Sequence, residues 1–394
     1  MKMSLFSEKT VNLFKVFDYY DPRDIAVAFV QVASLKYGSD SFQCVRKFEF
    51  KIIPYDLPIN FLKIETGIKT TANGVFGQVK LQNQSFSGEF DICSSDQPVI
   101  SCQVKASLQA EADDFLDAIG KHLKEKSIYR GKAISIDYEF LDLSGISETD
   151  VVYNENTKKE IQTNIWTMIE NPERCGQLKI LRQRKVLLLG TYGSGKTLTA
   201  LLTAKKASAK GWTFIYVPPT NYQEKNNILF AFELAKKYWP AIIFIEDIDQ
   251  EQYSNFDESF LKKILESTDG IISKNGELIL ILTANRTEKI APALQRPGRI
   301  DKIIHMGLLN HKEIKSLLAA IIPEKHLDQK INWEELGNVC GSYPPAFIRE
   351  IGTSSLLKMI SENGYLITQE NLIAAAKNLE CQFRVCDNPL GFKK

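Results

Sequence analysis

The stretch Val186-Leu187-Leu188-Leu189-Gly190-Thr191-Tyr192-Gly193-Ser194-Gly195-Lys196-Thr197 decides how this chain reads. Four apolar residues enter a glycine-rich turn that ends on a lysine and a threonine. The apolar run suits a strand buried on both faces of a parallel sheet. The turn fits the phosphate-binding pattern G-x-x-x-x-G-K-[ST] at every position. Gly190, Gly193 and Gly195 let the backbone curl so that its N–H groups point at phosphate oxygens. Lys196 offers charge to the β- and γ-phosphates, and Thr197 offers a hydroxyl to Mg²⁺. A helix begins at the same point and turns its positive end toward the phosphates. ATP and Mg²⁺ are therefore the expected ligands. The expected binding set is Gly190, Tyr192, Gly193, Ser194, Gly195, Lys196, Thr197 and Leu198.

Downstream, strands and helices alternate. Strand-like runs occur at Thr213 to Val217, Ala241 to Ile245 and Glu277 to Leu282, with helical patterns at Asn227 to Tyr238 and Phe256 to Ser267. This order predicts an α/β fold, a parallel sheet with helices on both faces. Ligands bind such sheets beyond the carboxyl ends of the strands. The strand Ile242-Ile243-Phe244-Ile245 ends there on two acids, Glu246 and Asp247. Phosphate-loop enzymes use one acid at this place to hold the hydrated Mg²⁺ and another to orient and deprotonate water.

Phe244-Ile245-Glu246-Asp247-Ile248-Asp249 resembles the Walker B signature of the AAA ATPases, a clade of the AAA+ superfamily. Thr283-Ala284-Asn285-Arg286 resembles that clade's sensor 1, and the stretch Ala293-Leu294-Gln295-Arg296-Pro297-Gly298-Arg299-Ile300-Asp301 its second region of homology. Asn171-Pro172-Glu173 is similar to the family's approach to the first strand. The resemblance runs from about Val151 to Leu379. It implies a P-loop NTPase core followed by a small helical lid. It implies that Asn285 helps place the attacking water, and that Arg296 and Arg299 reach the γ-phosphate of a neighbouring subunit. Such an arginine finger contributes ~10³–10⁵ in rate. By position, Glu246 holds Mg²⁺ together with Thr197, and Asp247 is the base.

The departures also carry information. The family usually places Asp-Glu at the strand tip; the Glu246-Asp247 order here resembles the mitochondrial Rieske-protein translocase subfamily. The loop reads G-T-Y-G where the family has G-P-P-G, so Tyr192 packs over the nucleotide or at a subunit boundary. After Val217 the chain has Pro218-Pro219-Thr220-Asn221-Tyr222, shorter than the family's pore-loop segment and without its aromatic-hydrophobic-Gly triplet. Tyr222 is either a pore aromatic or a packed loop residue. Ala346 stands at the sensor 2 position. Arg349, one helical turn on, is expected to be solvated or to make a lid salt bridge, with a nucleotide contact as the alternative. The adenine pocket involves Asp150 to Asn154, where the family glycine is missing.

The rest of the chain carries no chemical motif. Before Ser147, strand and helix signals mix, which predicts an α+β N-terminal domain over residues 1–147. Asp21-Pro22 introduces a helix through Ile25 to Leu35 by a cap and a first-turn proline. Val45 to Ile53 reads as a strand, and Asn73-Gly74 as the tight turn of a hairpin between Lys63 to Thr70 and Val75 to Leu81. Strands at Val99 to Val104 and Ala133 to Phe140 flank an amphipathic helix, Leu108 to Lys126. The ATPase large subdomain is then 148–308, and the lid with a tail 309–394. Lid helices are expected at His311 to Ile322, Trp333 to Cys340, Pro345 to Glu362 and Gln369 to Leu379, with a tail from Phe383.

Composition bounds the partners. Lys plus Arg is 49 and Asp plus Glu 48, a net charge of +1. That balance supplies no global basic surplus for neutralising phosphates. No apolar run approaches the ~20 residues of a membrane span, and no signal peptide is legible, so a cytoplasmic location is expected. The 7 cysteines are scattered without a C-x-x-C pair, which argues against a disulfide framework or a zinc site, although Cys381 and Cys386 could approach each other. The leading expectation is an ATP-hydrolysing machine that remodels a protein client as a closed ring, a hexamer by the family resemblance, with the N-terminal domain recognising the client. The alternatives are a nucleic-acid motor or loader and a nucleotide-gated scaffold of low turnover.

Overall fold

The structure, a computed structural model, describes residues 9–44, 47–48, 51–52, 61–93, 97–180, 183–219, 225–249, 277–285 and 299–385. The expected helix Phe256 to Ser267, Tyr222, Arg286, Arg296 and Cys386 lie outside the described residues. The chain divides into two compact units, Met1–Leu141 and Asp142–Lys394.

In the first unit, β1 (Thr10–Val16), α1 (Pro22–Tyr37), β2 (Phe42–Cys44), β3 (Lys47–Phe48), β4 (Lys51–Ile52), β5 (Leu62–Gly67), β6 (Thr70–Gly74), β7 (Gly77–Gln82), β8 (Ser87–Ile92), β9 (Val99–Lys105), α2 (Gln109–Lys126) and β10 (Ala133–Ser135) follow in order. An antiparallel sheet runs β1-β9-β8-β7-β2. Asp21 caps α1 by accepting from the Arg23 N–H at 2.8 Å, and Pro22 takes the first turn. The buried stripe of α2 is Ala112, Phe115, Leu116, Ile119 and Leu123, the face its spacing predicts. Phe115 meets Phe29 of α1 and Phe90 of β8 edge-on, with centroids 5.5 and 5.4 Å apart.

Three expectations for this unit are corrected. Asn73-Gly74 is not a turn. Both residues lie inside β6, where Asn73 pairs with Lys63 and Gly74 with Leu62. The turn falls instead on Ile68-Lys69, with Lys69 at φ 61°. Gly74 serves close packing: a Cβ there would meet the Ile64 side chain at 2.1 Å. The run Val45 to Ile53 is not one strand, since Lys47–Phe48 and Lys51–Ile52 pair antiparallel with each other. Within Ala133 to Phe140 only Ala133–Ser135 is strand; the chain turns back, Tyr138 adopts φ 62°, and Ile134 bridges Phe140.

The second unit opens with a 3-10 turn, Glu148–Asp150, capped by Ser147. Helices α3 (Glu155–Ile161), α4 (Thr167–Glu170) and α5 (Pro172–Gln177) follow, with a π-helical turn, Gln162–Trp166, before α4. Then come β11 (Gln183–Leu189), α6 (Lys196–Ala209), β12 (Thr213–Val217), α7 (Lys225–Lys237), β13 (Ala241–Ile245), β14 (Leu278–Ala284) and β15 (Lys302–His305). These strands are parallel and ordered β12-β13-β14-β11-β15. Every residue of β13 and β14 is buried. Successive side chains point to opposite faces, so both faces of the sheet are covered. β15 has no counterpart in the sequence reading: Lys-Ile-Ile-His is too short to show a period.

The lid comprises α8 (His311–Ala319), α9 (Trp333–Cys340), α10 (Pro345–Ser361) and α11 (Gln369–Val385) around a core that includes Ile314, Leu318, Leu336, Ile348, Ile351 and Leu372. Asn310 and Glu313 form a capping box at the start of α8. α11 spans Gln369–Val385, so Phe383 belongs to this helix and not to a tail.

Candidate functional site

β11 delivers Leu189 into the loop 190–195, and α6 starts at Lys196. Gly193 and Gly195 hold φ of 74° and 93°, values an L side chain reaches only under strain. Gly193 also meets the lid. Its carbonyl accepts from the Ala346 N–H at 3.0 Å, and a Cβ on it would lie 2.7 Å from the Ala346 Cβ. Ala346, with its small side chain, therefore lets the lid seat directly on the loop.

The Lys196 ammonium donates to the Gly190 carbonyl at 2.8 Å, the Thr191 carbonyl at 3.1 Å and Asn285 Oδ1 at 2.7 Å. Burial lowers its pKa, and the charges of Asp247, Asp249 and Glu246 oppose that shift. Lys196 also lies 5.9 Å from the ring centre of Tyr192, which is half exposed over the loop. The Ser194 hydroxyl is enclosed with no hydrogen-bond partner among the described residues.

The two acids at the tip of β13 point to different neighbours. Glu246 accepts from the Thr197 hydroxyl through one oxygen and from the Tyr216 hydroxyl through the other. Asp247 accepts from Asn285 Nδ2 at 3.0 Å, and its N–H donates to Thr283 Oγ1 at 2.7 Å. Its backbone is left-handed, with φ 49°. Asp249, buried, fixes Asn285 from behind: Oδ2 accepts from the Asn285 N–H at 2.9 Å. Asn285 thus spans Lys196, Asp247 and Asp249. Burial, the bond to Glu246 and the charges of Glu246 and Asp247 raise the pKa of Tyr216, so its hydroxyl stays protonated at neutral pH.

Lys196, Thr197, Glu246, Asp247 and Asn285 line a cleft of about 310 Å³ together with Asp150, Val152, Leu317 and Arg349. Of the stretch Asp150 to Asn154, Asp150, Val151 and Val152 line this cleft. Arg349 is half-buried; its Nη2 donates to the Asp150 carbonyl at 2.9 Å, joining lid to cleft wall, and it forms no salt bridge among the described residues. A larger cleft, about 580 Å³, shares Val151 and Val152 as lining and includes Tyr153, Trp166 and His311. It holds none of the loop or acid residues, so size alone does not mark the chemical centre. Arg299 is described but Arg296 is not. The Arg299 Nη1 is enclosed with no hydrogen-bond partner among the described residues.

Sequence reasoning brought together Lys196, Thr197, Glu246, Asp247 and Asn285, and the structure gathers all of them. It missed Tyr216, which carries no motif, and the anchoring contacts of Asp249 and Thr283. Asp249 and Thr283 lie inside the Walker B-like and sensor 1-like stretches, and the alternation of acids at Asp247 and Asp249 is the available signal for Asp249. Among the described residues no cluster of His, Cys, Asp and Glu could hold a metal by itself. Cys93, Cys102, Cys175 and Cys340 are buried and form no disulfide among the described residues.

Comparison with known proteins agrees with this geometry. Residues 186–308 match the ATPase family associated with various cellular activities (AAA). The chain is similar to the ATP-dependent zinc metalloprotease FtsH of Mycoplasma mobile, 28% identical over 57% of this chain and 33% of that protein. It is also similar to the proteasome-activating nucleotidase of Saccharolobus solfataricus, 24% identical over 72% of this chain and 73% of that protein. The same nucleotidase of Methanocaldococcus jannaschii is 26% identical over 65% of this chain and 61% of that protein. The chain thus spans about one third of the FtsH relatives it matches. Family match, parallel sheet and phosphate loop fall on the same residues, and the segment 186–308 is an AAA ATPase domain.

Proposed function

We propose that this chain binds Mg·ATP in the cleft between loop and lid, hydrolyses it, and uses the cycle to remodel a protein client as a ring. The observation that carries the reading is the division of labour between the two acids. Glu246 turns to the Thr197 hydroxyl, while Asp247 turns to the Asn285 amide. A hydroxyl and a carboxylate are hard oxygen donors of the kind Mg²⁺ takes, alongside water and phosphate oxygens. Thr197 and Glu246 fit as the residues that hold it, and Mg²⁺ there neutralises phosphate charge.

The chain's own residues do the rest. Lys196, held at the loop by two carbonyls, presents its ammonium to the phosphates. Asn285, locked by Asp249, orients the water, and Asp247 accepts its proton. Arg296 and Arg299 are assigned as donors to a neighbouring subunit's nucleotide by their positions in the stretch Ala293 to Asp301. A finger that acts on a neighbour requires a head-to-tail assembly, which closes as a ring. The inverted acid pair supports placing the chain beside the Rieske-translocase subgroup. The first unit, free of motifs, is assigned to client recognition. The chain contains no His-Glu-x-x-His pair, so the zinc chemistry in the FtsH name is not carried over.

The test is mixing. Arg296→Ala chains and Lys196→Ala chains, each poorly active alone, should regain turnover in mixed oligomers. Strictly additive activity in oligomers shown to mix would overturn action between subunits.

A further inference from the structure

The geometry points to Tyr216 as a positioning residue that fixes the Glu246 carboxylate for the metal side of the site. The inference rests on the proposed role of Glu246. A glutamate has three side-chain torsions, and one hydrogen bond leaves its carboxylate free to swing. Here both oxygens are engaged, each by a hydroxyl from a different element: Thr197 at the start of α6, and Tyr216 near the end of β12.

The sheet register explains how Tyr216 gets there. β12 and β13 are parallel, with Tyr216 opposite Phe244. Glu246 lies two residues beyond Phe244, so the strand's alternation turns its side chain to the same face. The Tyr216 and Phe244 rings stack at 5.6 Å and 15°. That stack would serve a phenylalanine equally well. Only the hydroxyl extends into the site, and its partner there is Glu246. The hydroxyl donates and the carboxylate accepts, so this bond orients the acid in its charged form. Without it, the acid would have to be ordered when the metal arrives, and the lost rotamer freedom would weaken binding.

The experiment uses the full chain and a fluorescent ATP analogue, with binding followed by anisotropy as Mg²⁺ is titrated and again in EDTA. Tyr216→Phe should raise the Mg²⁺ concentration for half-maximal binding about tenfold, the scale of one hydrogen bond to a charged group. Binding in EDTA should not change. In a Glu246→Asp background, where the shorter acid no longer reaches the hydroxyl, Tyr216→Phe should add nothing. An unchanged Mg²⁺ requirement, an equal loss in EDTA, or the same increment in the Glu246→Asp background would each overturn the proposal. Glu246→Gln separates the two layers. If it leaves the Mg²⁺ requirement untouched, the metal-side reading of Glu246 falls. If it raises the requirement while Tyr216→Phe does not, only the role of Tyr216 falls.

Discussion

The two sheets of this molecule put polar side chains in different places. In the second unit β13 and β14 are buried at every position, and Glu246, Asp247 and Asn285 follow directly at their carboxyl ends. In the first unit β9 alternates buried and exposed residues along its whole length. A sheet covered on both faces excludes polar groups from its interior, so they collect at the strand tips, where several elements converge on one point. A sheet with one solvated face spreads its polar residues over a surface and collects them nowhere. Where the first unit does bury a charge-bearing group, the role is internal: Asp24 in α1 accepts from the Ser127 hydroxyl at 2.6 Å and the Ile128 N–H at 3.1 Å. Substitutions at the strand tips should therefore change nucleotide chemistry with little effect on stability. Substitution of Asp24 should do the reverse.

The largest effect is expected at Asp247. Asp247→Asn keeps the size and the reach to Thr283 but cannot take a proton from water. Removal of a general base costs ~10²–10⁴ in rate. ATP affinity should stay near that of the parent, giving a trapped complex. Single-turnover hydrolysis beside equilibrium binding measures both; normal hydrolysis by Asp247→Asn, with trapping by Glu246→Gln instead, would reverse the two roles. Lys196→Ala comes next. It removes the ammonium that bridges the loop carbonyls and Asn285, and charged hydrogen bonds are worth ~1.5–3 kcal/mol each. ATP affinity should fall roughly 10- to 100-fold with unfolding temperature little changed. Retained affinity would show that the loop cradles phosphate by backbone alone.

The same contrast explains what the sequence could and could not reveal. The strand Val186 to Leu189, the loop and the pair Glu246-Asp247 are legible because local chemistry dictates them. Asn285 is legible through its signature. Tyr216 is not, because its partner is set by register between two strands, and an isolated Tyr at a strand end has many ordinary uses. In the first unit Asn73-Gly74 misled because a glycine can relieve crowding as well as make a turn, and only the Ile64 side chain packed against it tells which. β15 was hidden by its length. The contact from Arg349 to Asp150 joins residues far apart in sequence, beyond any local pattern.

Asp24 tests the other half of the comparison. It is 1% exposed, and burial pushes its pKa up to about 7 against the bonds from Ser127 and Ile128. An unfolded aspartate loses its proton near 3.8. Between those values the native state binds more protons than the unfolded state, so stability falls as pH rises through this window and is flat above it. The loss is on the order of a few kcal/mol. Asp24→Asn should flatten the dependence and leave ATP affinity unchanged. Thermal scans of both chains at pH 5 and pH 8 are the check, and parallel slopes would mean that other groups dominate.

The smallest effect is the most discriminating, because it sets the backbone against the side chain at one position. Asp247 sits at φ 49°. For most L residues a left-handed conformation costs roughly 1–2 kcal/mol, while Asp and Asn tolerate it because their short side chains bond locally. Here the local bonds are visible: the Asp247 N–H donates to Thr283 Oγ1, and its carboxylate accepts from Asn285. Asp247→Glu lengthens the acid by one methylene, carries the carboxylate past Asn285 and loses that relief. The shorter acid in second place thus follows from the backbone at the strand tip. The substitution should lower stability by about 1 kcal/mol and reduce turnover less than Asp247→Asn does, since a proton acceptor remains. An unchanged unfolding temperature together with faster single-turnover hydrolysis would show that reach toward the water alone governs this position.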